Sequence, residues 1–301
     1  MPEIERTIIA LYGGGMSTRD IADELYRAYG IEASATFISD VTDSIIDDVE
    51  QWRNRPLDSL YPIAFFDGFH LKVRENGKVV TKCLYIALGV DNDGLKQCLG
   101  IWIAKNESAS FWLSIFTELR NRGLKDILIA TSDGLSGFGE ALKAAFPEGV
   151  HQTCIIHLLR TTITLVGTKD RKSVAVDLKA VYGAATENET ERVLDAFETK
   201  WGNKYPAVSQ SWRNNWHKVI PMFGIVPEIR RLVYTNNPIE SVNRALRKSV
   251  KTRTIFPNDM AVFKLMYLTL ERLESKWTQP IKDWASAINQ LCILFPKRCL
   301  L

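Results

Sequence analysis

The chain has 301 residues, of which 46% are hydrophobic and 24% charged, and its net charge is +3. This composition is typical of a globular protein with enough apolar residues for a core, and the charge is too small to identify a binding partner. No apolar run reaches transmembrane length and residues 1–15 lack a signal-peptide pattern, so we expect a soluble, cytoplasmic protein. Five scattered cysteines predict reduced thiols rather than a disulfide framework.

Residues 1–55 have a helical pattern. A first amphipathic helix ends at three glycines, and Ser17 with Asp20 predicts the capping box of a second helix, which ends at Gly30. A third helix is predicted from about Ser34. Short helices joined by tight turns are typical of a helix-turn-helix DNA-binding segment. A generic helical hairpin is the alternative, because the third helix carries four aspartates that repel phosphate: Asp40, Asp43, Asp47 and Asp48.

A buried strand with one charged residue follows in the sequence YPIAFFDGFHLKVR, residues 61–74. The charged residue is Asp67, and Asn76-Gly77 predicts a type I′ hairpin into a second strand, with a third at 96–104. Asp67 is therefore predicted on the first strand of an antiparallel meander. A carboxylate there requires partners or a metal ion, and a structural aspartate at a bulge is the alternative.

A second carboxylate, Asp133, follows the short apolar strand Ile127 to Ala130. An all-apolar strand is suited to the middle of a sheet, and ligands commonly bind at the carboxyl ends of such strands. A further strand is predicted from Val150 to Ile156. Residues 158–227 are predicted to be helical, with tryptophans that pack in a small domain or, alternatively, stack on an unpaired base: Trp201, Trp212 and Trp216.

A third carboxylate, Glu240, lies in YTNNPIESVNRALRKSVKTR, residues 234–253. Asn237 is predicted to cap a helix here, and Glu240 is the one acidic residue among seven basic ones between Arg230 and Arg253. Glu240 either caps the helix and neutralises its neighbours or binds a metal ion on a phosphate-binding surface. Asp67, Asp133 and Glu240 could converge on one point. Such an all-oxygen site suits two-metal-ion phosphodiester cleavage and favours Mg²⁺, with Mn²⁺ as a substitute.

The order of these elements resembles the ribonuclease H-like fold of DDE recombinases, an α/β fold with a mixed sheet and flanking helices. The motifs are similar to those of bacterial Mutator-type insertion-sequence transposases over about Met16 to Trp284. They include DGFHLKVRENG, FPEGVHQTCIIHLLR, KWGNKYP and YTNNPIESVNRALRKSVKTR. The resemblance implies a helix-turn-helix at 1–55, the first part of the core at 56–157, an all-helical insertion domain at 158–227, and the second part of the core at 228–301.

The resemblance also implies roles for individual residues. Asp67, Asp133 and Glu240 would be the catalytic carboxylates that bind two metal ions. Five basic residues would contact DNA phosphates: Arg244, Arg247, Lys248, Lys251 and Arg253. The family signature would include Cys154, His157 and Asn243. Cys154-x-x-His157 is half of a zinc-site pattern with no second pair after it, so we expect a structural or DNA-contacting role for it near the active site.

The sequence departs from the family pattern at two places. Gly68 stands where alanine is more common, and Thr235-Asn236-Asn237-Pro238 replaces a usual pair of threonines followed by asparagine. Family members usually carry more sequence upstream, so the chain is expected to be an N-terminally shortened copy.

The function implied by the resemblance is metal-dependent cleavage at insertion-sequence ends and transfer of the 3′-hydroxyl into target DNA. Its partner would be double-stranded DNA, both the terminal inverted repeats and the target. The protein would act as a homodimer or higher oligomer, associated with the nucleoid. Two alternatives stay open: a shortened or co-opted transposase that binds DNA without catalysis, and another ribonuclease H-like nuclease such as a junction resolvase.

Overall fold

The computed structural model describes residues 2–233 and 237–299. It has a five-stranded mixed sheet with helices on both faces. The strands are β1 (Leu60–Glu75), β2 (Lys78–Val90), β3 (Lys96–Ala104), β4 (Asp126–Ser132) and β5 (Val150–Thr153). Their order in the sheet is β3-β2-β1-β4-β5, so β1 lies in the centre.

The first three strands form the predicted antiparallel meander, because the turns between them are encoded locally. Asn76 and Gly77 both have positive φ, 49° and 77°, as a type I′ hairpin requires. Strand β4 pairs with β1 in parallel, and β5 pairs with β4 in parallel. In this register Phe66 lies opposite Ser132, which fixes where the residues that follow them are placed.

Two helices cover one face of the sheet, α5 (Ala109–Asn121) and α6 (Phe138–Ala145). Phe66 is fully buried there, with ring centroids 6.1, 5.6 and 4.9 Å from those of Trp112, Phe116 and Phe138. Its neighbour Phe65 belongs to the core on the other face, since consecutive strand residues point to opposite sides. Strand β1 is therefore buried from both sides.

Four N-terminal helices pack into the core on the opposite face: α1 (Pro2–Gly13), α2 (Thr18–Tyr29), α3 (Ala35–Asp43) and α4 (Ile46–Asn54). The predicted capping box of α2 is confirmed, and Gly30 ends the helix with a φ of 66°. The single third helix predicted from Ser34 is wrong, because the chain forms α3 and α4 instead. The Ser44 hydroxyl donates to the Val41 carbonyl and Ile45 leaves helical geometry with ψ 4°, which interrupts the helix.

The helices between β5 and residue 224 gather around a core of their own. They are α7 (Ile155–Ile163), α8 (Arg171–Gly183), α9 (Glu187–Trp201), α10 (Pro206–Asn214), α11 (Trp216–Val219) and a 3₁₀ helix (Ile220–Gly224). Trp212 is fully buried in this core, so at this residue the packing interpretation is confirmed. The next helix, α12 (Pro227–Val233), packs instead into the core that contains the N-terminal helices. The predicted extension of β5 to Ile156 is wrong. An apolar run fits a helix start as well as a strand, and α7 begins directly after Cys154, which occupies its N-cap position without a side-chain capping bond.

The chain ends with α13 (Asn237–Val250), α14 (Asp259–Glu274) and α15 (Trp284–Leu294). Cys292, in the last turn of α15, forms a disulfide with Cys299 beyond the helix, so the prediction of five reduced thiols is wrong for these two. The seven-residue separation is bridged by the turn that follows the helix. Cys83, Cys98 and Cys154 are not in disulfides. Among the described residues, no helix is long and apolar enough to cross a membrane.

Candidate active site

Asp67 and Asp133 lie side by side because of the register between β1 and β4. Phe66 and Ser132 are paired across the two parallel strands, and the two aspartates are the next residue on each. Strand β1 continues beyond Asp67, whereas β4 ends at Ser132. Both side chains line one cleft of about 520 Å³. We call this pair the strand side of the cleft.

The carboxylate of Asp67 is held by two hydrogen bonds. Its Oδ1 accepts the backbone N–H of Gly68 at 2.7 Å, and its Oδ2 accepts the side-chain amide of Asn243 from α13. Asn243 is buried, with 4% of its surface exposed, and its Oδ1 has no hydrogen-bond partner among the described residues. Both Asp67 oxygens therefore have fixed donors, and Asn243, predicted only as part of a family signature, links α13 to the strand side.

Asp133 is the less favourably placed carboxylate of the pair. Burial, together with the adjoining carboxylate of Asp67, raises the pKa of Asp133 to about 8. Two carboxylates this close repel one another when both are ionised, and a cation between them would remove that repulsion. The Nδ1 atom of His157 lies 3.9 Å from Asp133 Oδ2.

The Cys-x-x-His motif lies beside Asp133 because α7 begins there. The backbone N–H of Cys154 donates to the Ser132 carbonyl at 2.7 Å, which places the start of α7 next to the end of β4. Cys154 is buried, whereas the His157 side chain is 53% exposed. Both residues line the cleft together with Arg160, one turn further along α7.

Glu240, on the first turn of α13, reaches the same cleft from the other side. Its two carboxylate oxygens accept hydrogen bonds from the guanidinium of Arg160, at 2.6 and 3.2 Å. We call Glu240 and Arg160 the helix side of the cleft. Sequence reasoning missed Arg160. The three-residue spacing of Cys154, His157 and Arg160 along one helix could have indicated that it shares their face.

The predicted phosphate contacts fall into two groups. Arg244 and Arg247 are exposed and line the cleft, and Lys248 and Lys251 are exposed further along the same segment. These four residues form a basic surface that begins at the cleft. Their role as DNA contacts stays a prediction.

Arg253 is placed differently from the other four basic residues. Its guanidinium donates to the Met16 carbonyl and lies 4.0 Å from the centroid of the Tyr12 ring. Arg253 thus joins the end of the α13 segment to the N-terminal helices. Residues 234–236, with the departures Thr235 and Asn236, lie outside the described residues, as does the side chain of the predicted cap Asn237.

The donor set of the strand side suits a hard divalent cation. Asp67 and Asp133 supply adjoining carboxylate oxygens, which are the ligand type that Mg²⁺ and Mn²⁺ prefer. The third predicted ligand, Glu240, is paired with Arg160 instead. Within residues 2–233 and 237–299, no three His, Cys, Asp or Glu side chains form a group that could hold a metal ion.

Gly68, which follows Asp67 and departs from the family pattern, lies close against side chains of β2. A Cβ atom at this position would lie 2.9 Å from Cys83 Sγ and 3.1 Å from the Tyr85 ring. An alanine would therefore require these neighbours on β2 to move. The absence of a side chain at residue 68 allows β1 and β2 to keep close contact beside the cleft.

Comparison with known proteins identifies the general class. The family described as Transposase, Mutator family matches residues 1–280. The chain therefore belongs to the Mutator family of transposases, and transposition of DNA is the general activity that this membership assigns to it.

Named relatives agree with this assignment. The chain is 44% identical to the transposase of insertion sequence element ISRM3 from Rhizobium meliloti (strain 1021), over 99% of this chain and 74% of the relative. It is 41% identical to a probable insertion-sequence transposase from Corynebacterium diphtheriae, over 99% of this chain and 93% of the relative.

A chain from a cryo-EM structure of a simian T-cell lymphotropic virus intasome shares 13% identity, over 51% of this chain and 63% of that chain. Its TM-score of 0.22 is too low to define a shared fold.

Proposed function

We propose that the protein is a DDE-type transposase that cuts DNA at the ends of its insertion sequence and transfers the freed 3′-hydroxyl into target DNA. The observation that carries the proposal is the convergence of Asp67, Asp133 and Glu240 on one cleft from three distant parts of the chain. The exposed guanidiniums of Arg244 and Arg247 line the same cleft, where a DNA backbone would need positive charge.

Each residue of the cleft has a role in this proposal. Asp67, held by Gly68 and Asn243, presents an oriented carboxylate, and Asp133 beside it gains most from a cation because their mutual repulsion is then removed. Two Mg²⁺ ions, or Mn²⁺ in their place, would activate the attacking water or 3′-hydroxyl and stabilise the leaving oxygen. Glu240 would complete the ligand set after leaving Arg160.

The wider architecture supports a ribonuclease H-like core in the same proposal. An antiparallel meander joined to two parallel strands carries carboxylates at neighbouring strand positions. Residues 158–227 would be the insertion domain and residues 1–55 the helix-turn-helix. The substrate would be double-stranded DNA, from the inverted repeats and the target. A homodimer or higher oligomer would bring two ends together.

A strand-transfer assay with a pre-cut element end and Mg²⁺ or Mn²⁺ tests the proposal. We expect Asp67→Asn, Asp133→Asn and Glu240→Gln each to lower joining by about 10³-fold or more, because the metal ions supply several kcal/mol of transition-state stabilisation. DNA binding in a gel-shift assay should persist. Asp93→Asn, an exposed carboxylate in the turn between β2 and β3, is the matched control and should join DNA at the wild-type rate.

Two outcomes would contradict the proposal. Joining by any of the three neutral variants within about tenfold of wild type would show that the site is assigned wrongly. If the wild type shifts DNA on a gel yet joins none at any Mn²⁺ concentration, the chain is a DNA-binding relative without catalysis.

A further inference from the structure

The contact between Arg160 and Glu240 is the feature of the cleft that the proposed chemistry leaves unexplained. The guanidinium binds both oxygens of the carboxylate, at 2.6 and 3.2 Å, in a two-point arrangement. The Arg160 side chain is 63% exposed and that of Glu240 24% exposed. The pair therefore lies at the open part of the cleft, where a ligand can reach it.

This contact keeps Glu240 away from the strand side. Both Glu240 oxygens are occupied by Arg160, while Asp67 and Asp133 adjoin one another. In keeping with this arrangement, the described part of the chain contains no group of three carboxylate, Cys or His ligands. The cleft thus holds its third carboxylate in an ion pair with Arg160.

We propose that Arg160 is a positioning residue that exchanges partners when the cleft is filled. In the metal-free protein it binds Glu240. When metal ions and DNA enter, Glu240 moves to the metal ions and the guanidinium of Arg160 binds a backbone phosphate. This inference rests on the proposed function, since it assumes a metal site at Asp67 and Asp133.

Charge and geometry favour this exchange. Each charged group leaves one partner of opposite charge for another, Glu240 for a divalent cation and Arg160 for a phosphate. A guanidinium binds carboxylate and phosphate with the same planar, two-point geometry, so Arg160 needs no second conformation of its head group. Because the guanidinium is largely exposed, water screens the ion pair despite its two-point geometry, and a divalent cation can displace it.

The surroundings indicate phosphate rather than a second carboxylate as the new partner. Arg244 and Arg247 line the same cleft and are exposed beside Arg160. Three guanidiniums around one cleft provide the positive charge that a DNA backbone requires. Release of Arg160 from Glu240 would therefore add one phosphate contact only after the metal ions are bound.

Calorimetric titration of the full chain with Mn²⁺ in the absence of DNA tests the first half of the exchange. We expect Arg160→Gln to bind Mn²⁺ about threefold to fivefold more tightly than wild type, because Glu240 no longer has to leave a partner. Arg244→Gln removes the same charge from the same cleft and is the matched control. The difference in Mn²⁺ affinity between Arg160→Gln and Arg244→Gln should disappear when both variants also carry Glu240→Gln.

Binding to a short duplex at several salt concentrations tests the second half. Without Mn²⁺, Arg160→Gln should change DNA affinity little, because the wild-type guanidinium is bound to Glu240. With Mn²⁺, the variant should bind DNA more weakly than wild type. The plot of log affinity against log salt concentration should also become less steep, by about the amount that one phosphate contact contributes. Neither result requires the transposase to be active.

The outcomes separate the two proposals. The partner exchange would be overturned, and the metal site left intact, if Arg160→Gln and Arg244→Gln bound Mn²⁺ equally well. It would also be overturned if the tighter Mn²⁺ binding of Arg160→Gln persisted when Glu240→Gln was added to both variants. An effect of Arg160→Gln on DNA binding that is the same with and without Mn²⁺ would also overturn it. Failure of the wild type to bind Mn²⁺, or binding unchanged by Asp67→Asn, would overturn the proposed metal site and the exchange together.

Discussion

The strand side and the helix side of the cleft hold their carboxylates by different means. Asp67 and Asp133 are set by the pairing of two buried parallel strands, and Asp67 is further fixed by a backbone amide. Glu240 is held by one exposed arginine side chain. Backbone register is maintained by the whole core, whereas an exposed ion pair contributes little and breaks readily.

This difference suggests how one cleft can be both stable and adjustable. The strand side can present its carboxylates without rearrangement, because moving either one would require a shift of the sheet. The helix side can rearrange one carboxylate without disturbing the core. We expect changes on the strand side to affect stability and changes on the helix side to affect only activity and binding. Asn243 is the exception, because it lies on the helix that carries Glu240 and donates to Asp67 on the strand side.

The largest effect on stability is expected at Phe66, the residue before Asp67. Its ring fills the core between Trp112, Phe116 and Phe138, so Phe66→Ala should lower the free energy of unfolding by about 3–5 kcal/mol. Glu240→Gln should change it by less than about 1 kcal/mol. Urea unfolding of both variants measures this contrast. A loss at Glu240 comparable to that at Phe66 would show that the helix side is also part of the stable core.

A smaller effect is expected at Asn243, the link between the two sides. Asn243→Ala removes a hydrogen bond to the Asp67 carboxylate, worth about 1.5–3 kcal/mol, so strand transfer should fall by about 10- to 100-fold. Ser241→Ala is the matched control, because its exposed hydroxyl donates to the Pro238 carbonyl on the same helix and has no other hydrogen bond among the described residues. Wild-type strand transfer by Asn243→Ala would mean that Asp67 is oriented without help from α13.

The smallest effect is a pH dependence at His151, on β5. His151 packs against Phe138, with ring centroids 5.0 Å apart, and its Nε2 lies 2.9 Å from the Ser132 hydroxyl. Burial lowers the pKa of His151 to about 4, below the value of about 6.5 in an unfolded chain. Its contribution to stability is therefore complete above about pH 6.5 and is lost as the pH falls towards 4.

Thermal melting of the metal-free protein at pH 7 and pH 4.5 measures this contribution. We expect His151→Gln to lose less stability on acidification than wild type, by a difference on the order of 1 kcal/mol. His70→Gln changes an exposed histidine on β1 and should keep the wild-type pH dependence. If wild type and His151→Gln lost the same stability between pH 7 and pH 4.5, the folded protein would not disfavour the protonated form of His151.

Much of the strand side could be predicted because its signals are local. The Asn76-Gly77 turn fixes the β1–β2 hairpin, and the apolar runs around Asp67 and before Asp133 mark two buried strands. The capping box at Ser17 is likewise contained within four residues. Signals of this kind fix element type and turn position without knowledge of the rest of the chain.

The helix side could not be predicted from patterns. The Arg160–Glu240 pair joins residues 80 positions apart, and the Asn243–Asp67 bond joins residues 176 positions apart. No periodicity relates such partners, and an arginine on a basic surface has many possible neighbours. The break at Ser44 and the early end of β5 at Thr153 were missed for a related reason, since apolar spacing continues across both boundaries.

The length of α13 has a consequence for work with fragments of this protein. The helix has 14 residues, about 21 Å, and carries Glu240 in its first turn. Beyond its other end, Thr252 and Arg253 donate hydrogen bonds to the carbonyls of Gly15 and Met16, in the turn between α1 and α2. Removing the first two helices would therefore take away these contacts at the far end of the helix that carries Glu240, and we expect strand transfer to fall even if those helices never touched DNA.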